Sequence, residues 1–257
     1  MQTPIRWLAL VTALAVPLRA GLASEAKPPA AERIPTETGD LLIFPIEHAT
    51  FVMQWDQKTI VFDPVSGAAT FQSFPKPDLI LLTDIHGDHF HVPTLNGLVT
   101  ASTKIVAPAA AVKELPEALR PRAVVLANGE KAELRGISIE AIAMYNTSPE
   151  RAKYHPKGRG NGYVLTLGGK RIYNSGDTED IPELRQLKGI DVAFVCMNLP
   201  YTMDARQAAS AVLEFKPKIV YPFHYRSGGR TKTDLDLFRR TVEQKGETQV
   251  RLLRWYP

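Results

Sequence analysis

One order of elements occurs twice along this chain, and few folds accommodate it. In the first half, "LLIFPIEHATFVMQW" and "KTIVFDPV" read as strands flanking a hairpin turn at Asp56-Gln57. They lead to "DLILL" (Asp78 to Leu82), a continuous apolar run of the kind expected of a strand buried on both faces. The strand "KIVAP" follows, with the short helical stretches "VPTLNGLV" and "PAAAVKEL" around it. In the second half, "KAELRG", "ISIEAIAMY", "GYVLTLGG" and "KRIYNSGD" read as strands, and "IDVAFV" and "KIVYPF" as two further buried ones. Between the last two lies the helix "DARQAASAVLEF", with Asp204 as its N-cap; "TDLDLFRRTVEQKG" is a final helix, capped near Thr233 and ended by Gly246. Strands giving way to strand–helix alternation, twice over, predict two sheets packed face to face with helices outside. At 257 residues and 44% hydrophobic content, the chain is large enough for one such core in a single α/β domain of the α+β type.

The ends of the chain read differently. Residues 1–23 combine Arg6, an apolar run from Trp7 to Leu18 and the small residues "GLA", the pattern of a secretory signal, so the protein is expected to be exported, periplasmic or secreted. Pro17 and Arg19 cut the apolar stretch short, which argues against stable membrane insertion. Residues 24–40, rich in Pro, Ala and charge, read as a linker, leaving 41–257 as the domain. Removal of the signal takes Arg6 and Arg19 and no acidic residue, so the formal charge falls from +4 to +2. A nearly balanced chain lacks the concentrated basic face that nucleic-acid binding requires. The single cysteine, Cys196, excludes an internal disulfide, and its apolar surroundings "IDVAFVCMN" read as those of a buried structural thiol.

The chemistry is concentrated in "LLTDIHGDHFH", which carries three of the six histidines. Asp84 and His86, two apart in an extended segment, face one side. A bend at Gly87 turns Asp88 and His89 toward a neighbouring point. Two ligand pairs aimed at adjacent positions suit two metal ions, but four ligands do not close two coordination shells, so partners must come from elsewhere. Asp177 in "NSGDTED" and His224 in "PFHYRS" follow predicted strands, and His155 precedes one; all can gather at one sheet rim, where sites of α/β proteins form.

The order of Asp63 in "FDPV", then "DIHGDH", a loop histidine, "SGDT" and a late "PFHY" resembles the metallo-β-lactamase superfamily, in particular its branch of ascorbate-phosphate lactonase-like and related metal-dependent hydrolases. The resemblance runs from about Leu41 to Tyr225. It implies a four-layer αββα sandwich with a dinuclear site, Zn2+ foremost and Mn2+ or Fe2+ as alternatives. His86, Asp88 and His89 match the end of the family's HxHxDH motif, Asp177 its bridging carboxylate and His224 its last histidine. His155 or Asn146 takes the place of the middle histidine. Asp84 departs from the pattern, since most members have histidine there; a carboxylate still binds zinc, but it also suits harder ions or weakens that site. Asp177 stands where true zinc β-lactamases carry cysteine, which argues against antibiotic hydrolysis. Asp63 is expected to steady a ligand histidine through its other ring nitrogen. His48 and His91 are read as non-ligands that can still line the pocket.

The expected activity is hydrolysis of a small anionic ester, lactone or phosphoester by a metal-bound hydroxide oriented by Asp88, because a metal ion lowers the pKa of water from 15.7 to about 7. Lys157, Arg159 and Arg226, with Arg230 nearby, invite an anion-gripping reading beside the ordinary one of a solvated charged surface. Two other functions remain open on sequence: a phosphodiesterase acting on envelope lipid or polymer, and a metal-binding sensor or assembly protein without turnover.

Overall fold

The computed structural model describes residues 30–227 and 231–256; the expected signal segment, 1–23, and Arg230 lie outside them. The first sheet takes its strands in sequence order: β1 Glu32–Thr36, β2 Gly39–Glu47, β3 Thr50–Trp55, β4 Lys58–Phe62, β5 Leu79–Leu81, β6 Lys104–Ala107 and β7 Ala123–Val125. Pairing is antiparallel from β1 to β4 and parallel from β4 to β7. Next come β8 Lys131–Leu134, β9 Ile137–Met144, β10 Gly160–Leu167, β11 Lys170–Asn174, β12 Val192–Cys196 and β13 Ile219–Phe223. A two-residue pairing of β14 Arg226–Ser227 with β15 Thr231–Lys232 stands apart, and β16 Gln249–Val250 ends the chain's strands. The second sheet has the order β16-β13-β12-β11-β10-β9-β8, again half antiparallel and half parallel.

Side-chain alternation explains why these sheets stack. Phe51, Met53, Ile60, Phe62, Leu79 and Leu81 face the cluster between the sheets, whereas Val52, Val61, Ile80 and Leu82 face outward. The outward set packs against α1 (Val92–Leu98) and α2 (Ala109–Glu114) through Leu95, Leu98 and Ala111. On the other side, α4 (Ala205–Phe215) and α5 (Leu235–Lys245) bury Ala208, Val212, Phe215, Phe238 and Val242 with β12 and β13; the short α3 (Pro182–Arg185) adds Leu184. The result is the predicted four-layer αββα sandwich. At its centre the Phe51 ring stacks on Phe62 and on Phe194 of the opposite sheet, each at 4.4 Å between centroids, with Trp255 edge-on at 5.9 Å. Cys196 is free and fully buried, and burial, aided by the Asp177 charge, pushes its thiol up to about 12.

Local signals hold at some boundaries and fail at others. Asp204 caps α4 in a complete capping box with Gln207. The cap of α5 is Asp234, whose carboxylate accepts from Leu237 N, one residue beyond the expected Thr233. The segment read as a linker contains β1, and β2 already starts at Gly39. Pro35 hides this strand in the sequence, but β1 is an edge, where a residue without an N–H is tolerated. "LLIFPIEHATFVMQW" is two strands, not one, broken by a turn at His48-Ala49.

Replacing Phe51 by Ala removes a ring shared by both sheets and is expected to cost about 3–5 kcal/mol, read as a lowered urea midpoint. The exposed-end change Asp204→Ala is expected to cost about 1 kcal/mol in the same assay.

Candidate metal centre

The rim of the sandwich collects side chains from the carboxyl ends of strands in both sheets. Sheet one supplies Asp63 after β4, the loop 83–91 after β5, and His48 from the β2–β3 turn; sheet two supplies His155 between β9 and β10, Asp177 after β11 and His224 after β13. The 83–91 loop turns because His89 N and Phe90 N both donate to His86 O. Gly87 lies in this turn, as expected, although its φ is outside the left-handed region and the space around it is open, so the bend does not require glycine there. Gly176 is different: at φ +55, an added Cβ would lie 2.4 Å from Met144 Sδ and 3.1 Å from Asn161 O, so only glycine brings the chain in to place Asp177.

Around Asp177 the donor atoms converge. His89 Nε2 lies 3.2 Å from His224 Nε2 and 3.4 Å from Asp177 Oδ2. His224 Nε2 is 3.4 Å from Asp177 Oδ1 and 3.3 Å from Asp88 Oδ2. Donors bound to one tetrahedral cation at about 2.0–2.1 Å stand about 3.3 Å from one another. The spacing therefore fits a cation, and Asp177 Oδ1, buried and without a hydrogen-bond donor, is the kind of atom that needs one.

Supporting contacts aim these lone pairs inward. Asp63, fully buried, accepts from Thr83 N at 2.8 Å, from Thr83 Oγ1 at 2.5 Å and from His89 Nδ1 at 2.8 Å. With its proton on Nδ1, His89 presents a lone pair at Nε2. His224 Nδ1 lies 2.9 Å from the amide of Asn198, whose side chain has no other hydrogen-bond partner and is free to turn its oxygen to that nitrogen.

The electrostatics match. Burial opposes ionisation of Asp177, but the His224 and His89 charges and hydrogen bonds from His155 and His89 outweigh it and hold the carboxyl well below its ordinary range. Asp88 is likewise held low, burial being outweighed by hydrogen bonds from His224 and His48. Burial disfavours a charged His89, yet Asp177 and Asp63 push it well above the usual imidazole value. The centre demands positive charge, and a proton on His89 supplies it when no cation does.

The second donor group, Asp84, His86 and His155, is arranged otherwise. Arg159 grips Asp84 with both arms, Nε to Oδ1 at 3.0 Å and Nη2 to Oδ2 at 2.8 Å. His86 Nδ1 is 2.8 Å from Asp84 Oδ2, and its Nε2 is 3.2 Å from Arg159 Nη2. Arg159 is thus a partner of Asp84 rather than a residue on the cavity wall, a correction to its reading as a substrate contact. Lys157 is also corrected: it is exposed, pairs with Glu183 at 2.9 Å and does not line the cavity. Of the two rivals for the middle position, His155 faces the centre, with Nε2 3.3 Å from Asp177 Oδ2. Asn146 stands behind it, donating to Tyr201 O and Arg151 O.

His48, set aside as a non-ligand, touches the centre directly: Nε2 is 3.2 Å from Asp88 Oδ2 and Nδ1 is 2.7 Å from Tyr256 OH. Its only sequence signal is a lone histidine between two strands. His91 stands at the N-cap position of α1, its ring bonded to Thr94 Oγ1, and belongs to neither donor group. A cavity of about 290 Å³ opens over the centre, lined by His48, Asp88, Tyr154, Asn198, Tyr201 and Arg226 among others.

Comparison with known proteins agrees with this geometry. The profile of the beta-lactamase superfamily domain matches residues 43–224. A UPF0173 metal-dependent hydrolase of Pyrococcus abyssi is 30% identical over 215 residues, covering 79% of this chain and 92% of its own. A candidate metal-dependent hydrolase from Parabacteroides distasonis, known as a crystal structure, is 38% identical, covers 88% of this chain and 99% of its own, and superposes with a TM-score of 0.79. A metallo hydrolase from Ignicoccus hospitalis, 22% identical with a TM-score of 0.68 over 83% of this chain and 94% of its own, shares the fold.

Asp63→Asn keeps the shape of the side chain but weakens the acceptor behind His89. Metal affinity, measured by competition with a chelator, is expected to fall about 10–100-fold. Unchanged affinity would show that Asp63 does not orient the ligand.

Proposed function

The chain belongs to the beta-lactamase superfamily, and on that footing we propose that it is a metal-dependent hydrolase of a small anionic ester, lactone or phosphoester. The observation that carries this reading is the convergence of His89 Nε2, His224 Nε2 and the Asp177 carboxylate, 3.2–3.4 Å apart, beside a cavity, with Asp88 Oδ2 3.3 Å from His224 Nε2. A divalent ion held there supplies Lewis acidity, bringing the pKa of water from 15.7 toward about 7. Asp177 and the two histidines hold that charge in place. Asp88, kept far below the ordinary carboxylate range, is a poor base; its part is to accept a hydrogen bond and orient the attacking water. His48, bonded to Asp88 Oδ2, fixes the direction of that carboxylate.

Arg226 supports an anionic substrate. Its guanidinium carbon sits 4.4 Å over the Tyr256 ring, it lines the cavity, and its Nε, buried, has no hydrogen-bond partner among the described residues. A cation placed this way suits a carboxylate or phosphate oxygen. Tyr154 and Tyr201, edge to face at 5.0 Å, form an apolar wall for the rest of the molecule. The volume of about 290 Å³ favours a small molecule over a polymer chain.

The test is a panel of chromogenic carboxyl esters, lactones and phosphodiesters, assayed with added zinc or manganese. Asp177→Ala and His224→Ala are expected to lose bound metal and turnover together. Arg226→Ala is expected to raise KM for anionic members about 10–100-fold with kcat little changed, as loss of one charge-assisted contact implies. Metal-replete protein inert on the whole panel would favour a binding protein without turnover.

A further inference from the structure

The two donor groups differ in where their lone pairs go, and that difference bears on how many ions the centre holds. We propose that this chain builds a one-cation centre, in which the Arg159 guanidinium, clamped by Asp84, takes the place of a second metal ion. The proposal rests on the hydrolase reading only for the cation among His89, His224, Asp177 and Asp88.

The Asp84 group is built around the guanidinium of Arg159. Both Asp84 oxygens accept from Arg159, and Oδ2 also faces His86 Nδ1 at 2.8 Å. That separation is a hydrogen bond, too short for the edge of a coordination shell, which is about 3.3 Å. His86 therefore carries its proton on Nδ1. Its Nε2 lies 3.2 Å from Arg159 Nη2, so a second cation bound to that nitrogen would sit against the fixed positive charge of the guanidinium. His155 Nδ1 is 3.1 Å from Asn146 Nδ2, and Asn146 cannot reverse its amide without setting an oxygen against the carbonyls of Arg151 and Tyr201. The two hydrogens of that amide go to those carbonyls, and His155 Nε2, buried without a hydrogen-bond partner among the described residues, faces Asp177 Oδ2 at 3.3 Å, on the side of the first cation.

In this group only His155 Nε2 is unpartnered, and one imidazole does not hold an ion by itself, whereas the Asp177 group offers His89 Nε2, His224 Nε2 once the Asn198 amide turns its oxygen to Nδ1, and an unpartnered carboxylate oxygen. The guanidinium is always charged and only partly exposed, with Nη2 also donating to Tyr154 O, so it is tied in from three directions. It repels a further cation and supplies one fixed positive charge beside the centre. The replacement of histidine by Asp84 is what makes this possible, because imidazole offers no bidentate seat for an arginine.

Chelator-stripped wild-type protein is titrated with manganese(II) and read by equilibrium dialysis with elemental analysis and by EPR. The expected result is saturation at about one ion per chain with the spectrum of an isolated ion. Saturation at about two ions with an exchange-coupled spectrum overturns the proposal and leaves the hydrolase reading standing. No bound ion at all overturns both. The double variant Asp84→His with Arg159→Gln rebuilds the missing ligand and removes the guanidinium, and is expected to bind about two ions and give the coupled spectrum. A folded double variant that stays at one ion overturns the assignment of Arg159 as the group that excludes the second. Should that variant fail to fold by circular dichroism, the wild-type stoichiometry decides alone.

Discussion

The structure depends on negative charge gathered where the two sheets meet, with Asp177 and Asp63 buried and Asp88 at the cavity wall. Asp177, Asp88 and Asp63 surround His89 and His224, and the first three come from different connections of both sheets. A buried carboxylate that stays ionised is costly unless a cation or a set of donors compensates it. Here the compensation reaches across the sandwich: His89 belongs to the first sheet, Asp177 and His224 to the second. Ion binding therefore ties the sheets together as well as preparing chemistry. Because the protonated His89 supplies the same charge, a cation entering the centre must expel that proton, which links metal affinity to pH.

Backbone strain is found in the same place. His48, Asp63 and His224 have φ of 55, 43 and 47°, in the left-handed region that residues with a Cβ seldom adopt. Each such residue costs of order 1–3 kcal/mol and persists only where its surroundings fix it. They do so here. Asp63 is held by its N–H to Leu81 O and by Thr50 Oγ1 to its own carbonyl, and His224 N donates to His48 O. The last bond joins two of the strained residues, one from each sheet, and brings their rings to 3.7 Å between centroids. The loops are thus locked in shape by hydrogen bonds among themselves, independently of any ligand.

Much of this was legible in the sequence because it depends on period and residue type. Continuous apolar runs such as Leu79–Leu82 and Val192–Cys196 marked the buried strands, and the histidine-carboxylate loop after one of them marked the rim. What escaped depends on partners. His48 sits alone in a turn 40 residues from Asp88, with no spacing to suggest that they meet. Arg159 lies 75 residues from Asp84 in a loop full of ordinary surface cations, and nothing in its neighbours separates it from Lys157, which ends on the outside against Glu183. The strand β1 escaped because an edge position relaxes the rules that a sequence reading relies on.

Residue type alone does not make a ligand, and the two donor groups of this centre show why. Each holds histidine and aspartate at similar separations. The partners decide the outcome: a carboxylate behind His89 turns a lone pair inward, while a guanidinium occupies both oxygens of Asp84 and stands against His86 Nε2. The same logic extends to the substrate side. Tyr256 places its ring beneath Arg226 and its hydroxyl against His48 Nδ1, and it also accepts from Arg226 N. One aromatic side chain thereby supports both a cation on the cavity wall and the imidazole bonded to Asp88, so Arg226 and the His48–Asp88 pair rest on a common support.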